Sequence, residues 1–492
     1  MQRDIYSNIS PLDARYYKSS KKLLDELSHY LSENSVIRYE ALVEAAMITV
    51  MERYGTAPVG ATEQLKKACT LITPEEVYEE EEKTKHNIRA LVRVLQRYVS
   101  DEVAPYIHLS ATSEDITGTA GVLRVRDAFF KVVLPRSLSL MEVMLDIVQK
   151  EAATVQIGRT HGQHAVPITI GFLFAGYVDR FGGRLLKMTE AVKSLKGKMS
   201  GAVGAYNASS LLFDDPRKFE EDVLAELCLK PAHFSSQIIE PEYLLDLVHA
   251  VVSAFGVLAQ IADDMRNLQR SEIGELGERF EKGQVGSSTM PHKRNPWNFE
   301  HVKSLWKEFT PRILTRYYDQ VSEHQRDLTN SASGRFIVEI FTGFTLAVER
   351  LTKQFRTLVV DHERLKQNIN MSDGMYLAEP LYILLAAKGN ENAHELVKEI
   401  TLKAQKEKRS IFQILRESSE FEHIVESDAW KTFEIDPSQY SGKSKERALA
   451  ISYIWRSRVN EMKKECEDYR EVSYFIKNGS PHSSSNSSSK ES

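Results

Sequence analysis

The sequence predicts an all-α protein of three helical domains built around a bundle of very long helices. Three observations carry this. Apolar residues recur at steps of three and four over long windows, which is the helical period. No series of short Val/Ile strands alternates with helices, as a nucleotide-binding sheet would require. At 492 residues the chain exceeds one ordinary core, so two to four domains are expected.

The N-terminal helical domain is expected over residues 1–105, ending near "VSDEVAPY". The central bundle is expected over 106–360. Within it, Leu123, Phe130, Leu134, Leu138, Met141, Leu145 and Val148 form one stripe between Val122 and Gln149, and Pro135 is predicted to kink that helix without ending it. Leu244, Leu247, Val248, Val251, Phe255, Leu258, Ala262 and Met265 form a second stripe, with Val252 and Val257 beside it. So apolar a helix is expected to be buried on most sides. A third helical run is predicted from Glu300 to Arg326, bent at Pro311. A C-terminal helical domain follows over 361–477, and the Ser-rich stretch 478–492 is predicted to be disordered.

Composition narrows the function. Hydrophobic content is 42%, charged content 27% and net charge −5. There is no electrostatic case for nucleic acid, although a local basic site for a phosphate stays open. Cys69, Cys228 and Cys466 are far apart and odd in number, which fits unpaired thiols in a reducing compartment. The first residues lack a signal pattern, and Ala250–Ala262 is too short to span a bilayer. A cytoplasmic protein without membrane or nucleic-acid partner, metal or cofactor is expected. "PSQYSGKS" ends like a phosphate loop, but Pro437 stands where the first Gly is needed.

Three polar islands interrupt the helices. "SATSEDITGT" (110–119) reads as a helix start, with Thr112 or Ser113 as cap and Glu114 and Asp115 in the first turn; the same hydroxyls and free N–H groups could bind a carboxylate. "GRTHGQHAVP" (158–167) is expected to be a loop, with Pro167 opening a helix. His161, between Thr160 and Gly162, is the acid–base candidate there, and His164 reads as an ordinary surface histidine. "GQVGSSTMPHKRN" (283–295) offers Gly283 and Gly286 for motion, Ser287 and Ser288 for hydroxyls, Lys293 for charge and Asn295 for an amide, with Glu300 soon after.

Together the islands resemble the fumarase/aspartase superfamily. "GSSTMPHKRN" matches the superfamily pattern GSSxMPxKxN at every fixed position, and "TSEDI" and "RTHGQ" are similar to its two other shared regions. "SPLDARYY", "KTKHNIRAL", "SGAVGAYNA", "SQIIEP" and "HQRDLTNSASGR" resemble the branch that cleaves a succinylated purine nucleotide. The likeness runs from about residue 10 to about residue 470.

The resemblance implies β-elimination of fumarate, with Ser287 as an alkoxide base under a closing loop and His161 as the acid that protonates the leaving nitrogen. It implies that Lys293 and Asn295 stabilise the substrate carboxylate, that Thr112, Ser113 and Thr160 hold it, and that Glu300 orients His161. Ser288 and Met290 would also touch substrate. Arg15 and Tyr16 match a phosphate-binding pair; His86, between Lys85 and Asn87, matches a second catalytic histidine that supports the substrate. Gln237, Arg326, Ser331 and Arg335 match further contacts. Asn87 departs from the usual Asp, which puts the tuning of His86 in doubt. A homotetramer is implied, its central helices forming a twenty-helix bundle and each active site shared between subunits. The alternatives are another lyase of the superfamily, such as fumarase or argininosuccinate lyase, a cycloisomerase, or a non-catalytic scaffold; the set Arg15, Lys85, His86 and Arg335 discriminates among the enzymes, and Ser287, His161, Lys293 and Glu300 disfavour a scaffold.

Overall fold

Helices dominate because apolar stripes at helical spacing need partners, and here they find one another. The computed structural model describes residues 7–280, 283, 289–290, 292–417 and 421–471. Ser287, Ser288 and the Ser-rich stretch 478–492 lie outside the described residues.

The chain opens with a short turn, α1 (Tyr17–Ser19), then α2 (Lys21–Leu31), α3 (Glu33–Arg53), α4 (Ala61–Leu71), α5 (Pro74–Thr84) and α6 (Asn87–Gln96). Next come α7 (Ser113–Ala128) and α8 (Leu134–Lys150). They are joined by a π-helical turn, Phe129–Val133, whose flanking residues keep right-handed helical angles. Pro135 lacks an N–H and crowds the preceding turn, and the wider π-turn just ahead of it absorbs both effects.

A hairpin follows: β1 (Val155–Thr160) pairs antiparallel with β2 (Gln163–Thr169). This corrects the expected loop and helix start at Pro167. Pro167 pairs with Ile157, and α9 (Ile170–Ser194) begins after Thr169, whose hydroxyl accepts from Phe172 N–H. α10 (Pro216–Glu226) and α11 (Glu242–Leu268) lead to β3 (Leu276–Gly277), then α12 (Trp297–Phe309) and α13 (Ile313–Tyr318). The helical run predicted to reach Arg326 stops at Tyr318, after a 3-10 turn at Thr310–Arg312 that houses Pro311. α14 (Ser331–Phe336) and α15 (Val338–Arg356) complete the central set, and β4 (Val359–Val360) pairs with β3.

α11 passes for a membrane span by length and composition, yet 61% of its most apolar window is buried inside the fold. Phe255 packs edge-on to Phe344 of α15, and Phe174 of α9 packs on Phe355. Each such fully buried phenylalanine stabilises by about 1.5–3 kcal/mol. Two glycines permit the closest helix approaches. A Cβ on Gly182 would stand 2.4 Å from the Trp455 ring, and one on Gly343 would stand 2.2 Å from Phe309.

α16 (His362–Asn370), α17 (Ala378–Ala387), α18 (Ala393–Glu407), α19 (Ile411–Arg416), α20 (Glu422–Val425) and α21 (Asp428–Ile435) gather a second core around Leu377, Leu381, Ile411 and Trp430, which also takes in Ile157 of β1. α22 (Ser444–Asp468) returns to the bundle, and Trp455 Nε1 donates to Asp179 of α9 (2.8 Å).

One buried charge is mismatched to its surroundings. Burial pushes the Glu40 carboxyl on α3 up to about 8, with nearby Arg124 only partly opposing. The charged form is therefore penalised in the fold, a penalty absent below about pH 4.5 and complete above about pH 8. Glu40→Gln is expected to raise stability at pH 9 by roughly 1–4 kcal/mol. The gain should vanish at pH 4 in denaturant melts.

Candidate active site

The first island is a helix start held from below. Thr112 is the N-cap of α7, and its N–H donates to Asp115 Oδ2 (2.8 Å). Asp115 is fully buried and also collects Lys198 Nζ (2.6 Å), Ser200 N–H (3.1 Å) and Gly201 N–H. Lys198, itself fully buried, donates further to Gly201 carbonyl (2.9 Å), and its own backbone exchanges bonds with Thr119 of α7. Ser200 Oγ meets Ser235 Oγ at 2.7 Å, and Gly204 (φ +77) comes so close to Ser235 that a Cβ would stand 1.9 Å from its carbonyl oxygen. The buried pair thus fixes Thr112 and Ser113 relative to the segment bearing Gln237. Glu114, half-exposed beside them, lies 4.0 Å from Arg326.

His161 occupies the hairpin tip. His161 (φ 56) and Gly162 (φ 75) form a two-residue turn with both angles positive, the type I′ arrangement that matches strand twist. His161 is exposed, and among the described residues no hydrogen bond reaches its ring. The hairpin's base is anchored instead. Buried Glu275 takes Arg159 through both nitrogens (3.0 and 2.6 Å), Gln156 (2.7 Å) and Asn368 of α16 (2.7 Å). His164 pairs with Arg159 across the strands, and burial and then the Arg159 charge drive its ring toward the neutral form.

Lys293 and Asn295 lie just ahead of α12, Lys293 exposed and Asn295 half-buried; Met290 is 41% exposed. The stems of this segment are tied together. Glu278 accepts from Asn298 N–H (2.8 Å), Asn298 Nδ2 (2.6 Å) and Phe299 N–H (3.0 Å), so a carboxylate sits on the α12 N-terminus. Gln269 donates to Arg294 carbonyl (3.2 Å) and accepts from Glu278 N–H (2.9 Å). Glu300 projects from the first turn of α12 and is exposed; no hydrogen bond joins it to His161 among the described residues.

The remaining residues are spread out. Lys85 is left-handed (φ 55) and ends α5, and His86 caps α6, its Nδ1 accepting from Arg89 N–H (3.3 Å). Lys85, His86, Asn87 and Thr160 are exposed. Arg335 Nη1 donates to Ser331 Oγ (2.9 Å) on α14. Arg15 is exposed, and Tyr16 packs against His301 of α12 (centroids 5.6 Å apart). The chain therefore brings together Glu114 with Arg326, Ser331 with Arg335, and Tyr16 with the start of α12. No hydrogen bond or ion pair among the described residues links His161 to the Thr112 or Lys293 regions. What one chain displays is a half-buried helix start at Thr112 and Ser113, an exposed imidazole on a firm hairpin and an exposed cationic stem.

Sequence reasoning missed Lys198, Glu275 and Glu278, which position these parts, and Arg350 of α15, whose Nη1 donates to Asn298 Oδ1 (2.7 Å). Glu275 and Glu278 bracket the stretch before the Gly/Ser loop, a visible signal. Lys198 lies in "KGKMSG", where nothing sets it apart from neighbouring lysines.

A family model described as lyase matches residues 9–307, and one described as adenylosuccinate lyase C-terminal matches residues 322–441. Adenylosuccinate lyases of Pyrococcus abyssi and Archaeoglobus fulgidus are 34% and 33% identical, covering 89% and 90% of this chain and 96% and 98% of theirs. Among solved structures, a fumarate lyase from Mesorhizobium sp. BNC1 and a 3-carboxy-cis,cis-muconate lactonizing enzyme from Pseudomonas putida superpose with TM-scores of 0.77. They are 22% and 23% identical, cover 87% and 88% of this chain, and are themselves covered to 97% each. These two share the fold.

Lys198→Met leaves Asp115 buried without its counter-ion and is expected to cost about 3–5 kcal/mol. Chemical denaturation reads that loss directly. A cost below about 1 kcal/mol would mean that the pair does not hold the helix start.

Proposed function

The chain belongs to the lyase family, and on that premise we propose that it is an adenylosuccinate lyase, cleaving adenylosuccinate to AMP and fumarate. The same elimination would act on the succinylated aminoimidazole carboxamide ribotide of purine synthesis. The observation that carries this is likeness to adenylosuccinate lyases over nearly the whole chain, including the C-terminal segment.

The reaction removes a proton from carbon beside a carboxylate and breaks the C–N bond on the next carbon. Ser287 Oγ, as alkoxide, takes the carbon-bound proton. The electron pair left on carbon is delocalised into the carboxylate and then forms the C=C bond of fumarate as the nitrogen departs with the C–N pair. His161 delivers a proton to that nitrogen. The carbon acid is very weak, so the carboxylate's growing charge needs fixed donors. Lys293 and Asn295 supply them, and Thr112 and Ser113 hold a carboxylate at the α7 start. Thr160, Ser288 and Met290 line the same centre. Arg15, Tyr16, Lys85, His86, Asn87, Gln237, Arg326, Ser331 and Arg335 bind the nucleotide, where Asn87 keeps hydrogen bonding without the charge an Asp would bring.

A homotetramer would unite these parts. His161, Glu300, Lys85, His86 and Arg335 are all exposed in one chain. Apolar side chains are exposed beside the Arg326 and Arg335 segment: Tyr318 (73%), Val321 (80%) and Leu328 (82%). Burial of such a patch by further copies is favourable. Glu300 of one copy would then orient His161 of another. A cytoplasmic location accords with unpaired Cys69, Cys228 and Cys466.

Purified protein is expected to release fumarate from adenylosuccinate, followed in the adenine absorbance band. Turnover of malate or argininosuccinate instead would replace this assignment with a sister lyase. Ser287→Ala is expected to lower kcat by at least about a thousandfold while substrate still binds, as for loss of an activated nucleophile or base. A variant within a few-fold of wild type would remove Ser287 from the base role.

A further inference from the structure

A cavity of about 640 Å³ lies between the C-terminal helices and the foot of β1, and none of its lining residues is among those assigned to substrate or chemistry. That volume is in the range of sites for cofactor-sized molecules. Segments far apart in sequence build its walls: Val155 of β1, α16, the turn that follows it, and Phe412 of α19. Gly374 lets them meet. It is left-handed (φ +83), and a Cβ there would stand 2.6 Å from the Phe412 ring.

The lining is bipolar. His362 and Lys366 are one turn apart on α16 and exposed. Asp373 (φ 47) lies past the end of α16, roughly 10 Å beyond Lys366 at the helical rise. Ile369, Phe412 and Tyr376 supply apolar surface to the same space. Among the described residues Lys366 and Asp373 have no ion pair, and the carboxylate near His362, Glu151 (4.0 Å), is already engaged by Thr154 and Lys150. Tyr376 is only 7% exposed, yet among the described residues no hydrogen bond engages its hydroxyl. Burial, then the nearby Asp436 carboxylate, push that phenol up to about 12, so it keeps its proton at neutral pH and can donate. A nearly buried donor that lines a cavity is satisfied by what the cavity holds.

These features select a ligand with an anionic group at one end, a flat apolar body and hydroxyls at the other end. An amino acid carries charge at hand but fills too little of the space. A nucleoside triphosphate brings more negative charge than one lysine and one histidine offset. We propose that this cavity is a second ligand site of the chain and takes a nucleoside monophosphate, with its phosphate on Lys366 and His362, its base against Phe412 beside Tyr376, and its sugar hydroxyls donating to Asp373. Nothing in this site depends on the lyase assignment. Asn368, next to Ile369 on α16, donates to buried Glu275 (2.7 Å), which holds Arg159 of the His161 hairpin. A nucleotide bound here therefore rests on the hairpin's foot and on the helix that braces it.

Calorimetric titration of the full chain with AMP tests the site. Wild type is expected to show a class of sites at one per chain whose affinity falls at least tenfold in Lys366→Met and at least threefold in Tyr376→Phe. Asp373→Asn should also weaken it, since Asn tolerates the left-handed backbone but brings no charge. Adenosine, which lacks the phosphate, should bind wild type and Lys366→Met equally. Hydrogen exchange over residues 155–169 is expected to slow more with AMP in wild type than in Lys366→Met. Loss of this class of sites in the variants, in a protein that does not turn over adenylosuccinate, would sink the lyase assignment alone. Unchanged AMP affinity and stoichiometry in both Lys366→Met and Tyr376→Phe would overturn the cavity assignment, whatever the turnover.

Discussion

A carboxylate sealed from water must gather donors from whatever surrounds it, and that constraint organises this molecule. Asp115 joins the α7 start to the loop after α9 through Lys198, Ser200 and Gly201. Glu275 joins the hairpin to α16 through Arg159, Gln156 and Asn368. Glu278 joins the entry of the Gly/Ser segment to its exit at Asn298 and Phe299. Helix packing alone would not fix these irregular stretches, since they have few apolar side chains to bury. Each of the three ties lies directly beneath a group assigned to the chemistry. On the proposed mechanism, the reactive side chains are thus displayed on stiff supports, the arrangement that keeps a site within the tolerance catalysis demands.

Much of this was legible because it is local. The stripe from Leu244 to Met265 became α11, and the polar start at Thr112 became a cap. His86 sits at a helix start as its neighbours implied. The hairpin was misread because Pro167 precedes an apolar run and resembles a helix opening. The pair His161–Gly162 was the available signal, since a two-residue turn with positive φ favours Gly at its second place. The acidic members Glu275 and Glu278 were visible before the Gly/Ser loop, but the partners that each buried carboxylate would gather were not. Lys198 lies 83 residues from Asp115, and Arg159 lies 116 residues from Glu275. No periodicity encodes such a pairing. Arg350 was hidden for the opposite reason: on α15 it looks like one more cation on an amphipathic helix.

The chemistry assigned to the chain needs an acid, a base and a carboxylate clamp around one substrate. Among the described residues, His161 and Lys293 are exposed, and no hydrogen bond or ion pair joins His161 to the Thr112 or Lys293 regions. On the proposed mechanism the site is therefore completed where copies meet, and the exposed apolar side chains near Tyr318 and Leu328 are the face that would bring them there. Positioning within a copy and assembly between copies then become parts of one design, in which the buried ties set each contribution before the partners arrive.

Mixing two inactive proteins, His161→Ala and Ser287→Ala, under conditions that exchange subunits tests this most directly. If each site draws its acid and base from different copies, some sites in the mixed oligomers receive both intact groups, and adenylosuccinate cleavage returns. A mixture that stays as inactive as its components, with subunit exchange verified by native mass spectrometry, would contradict it.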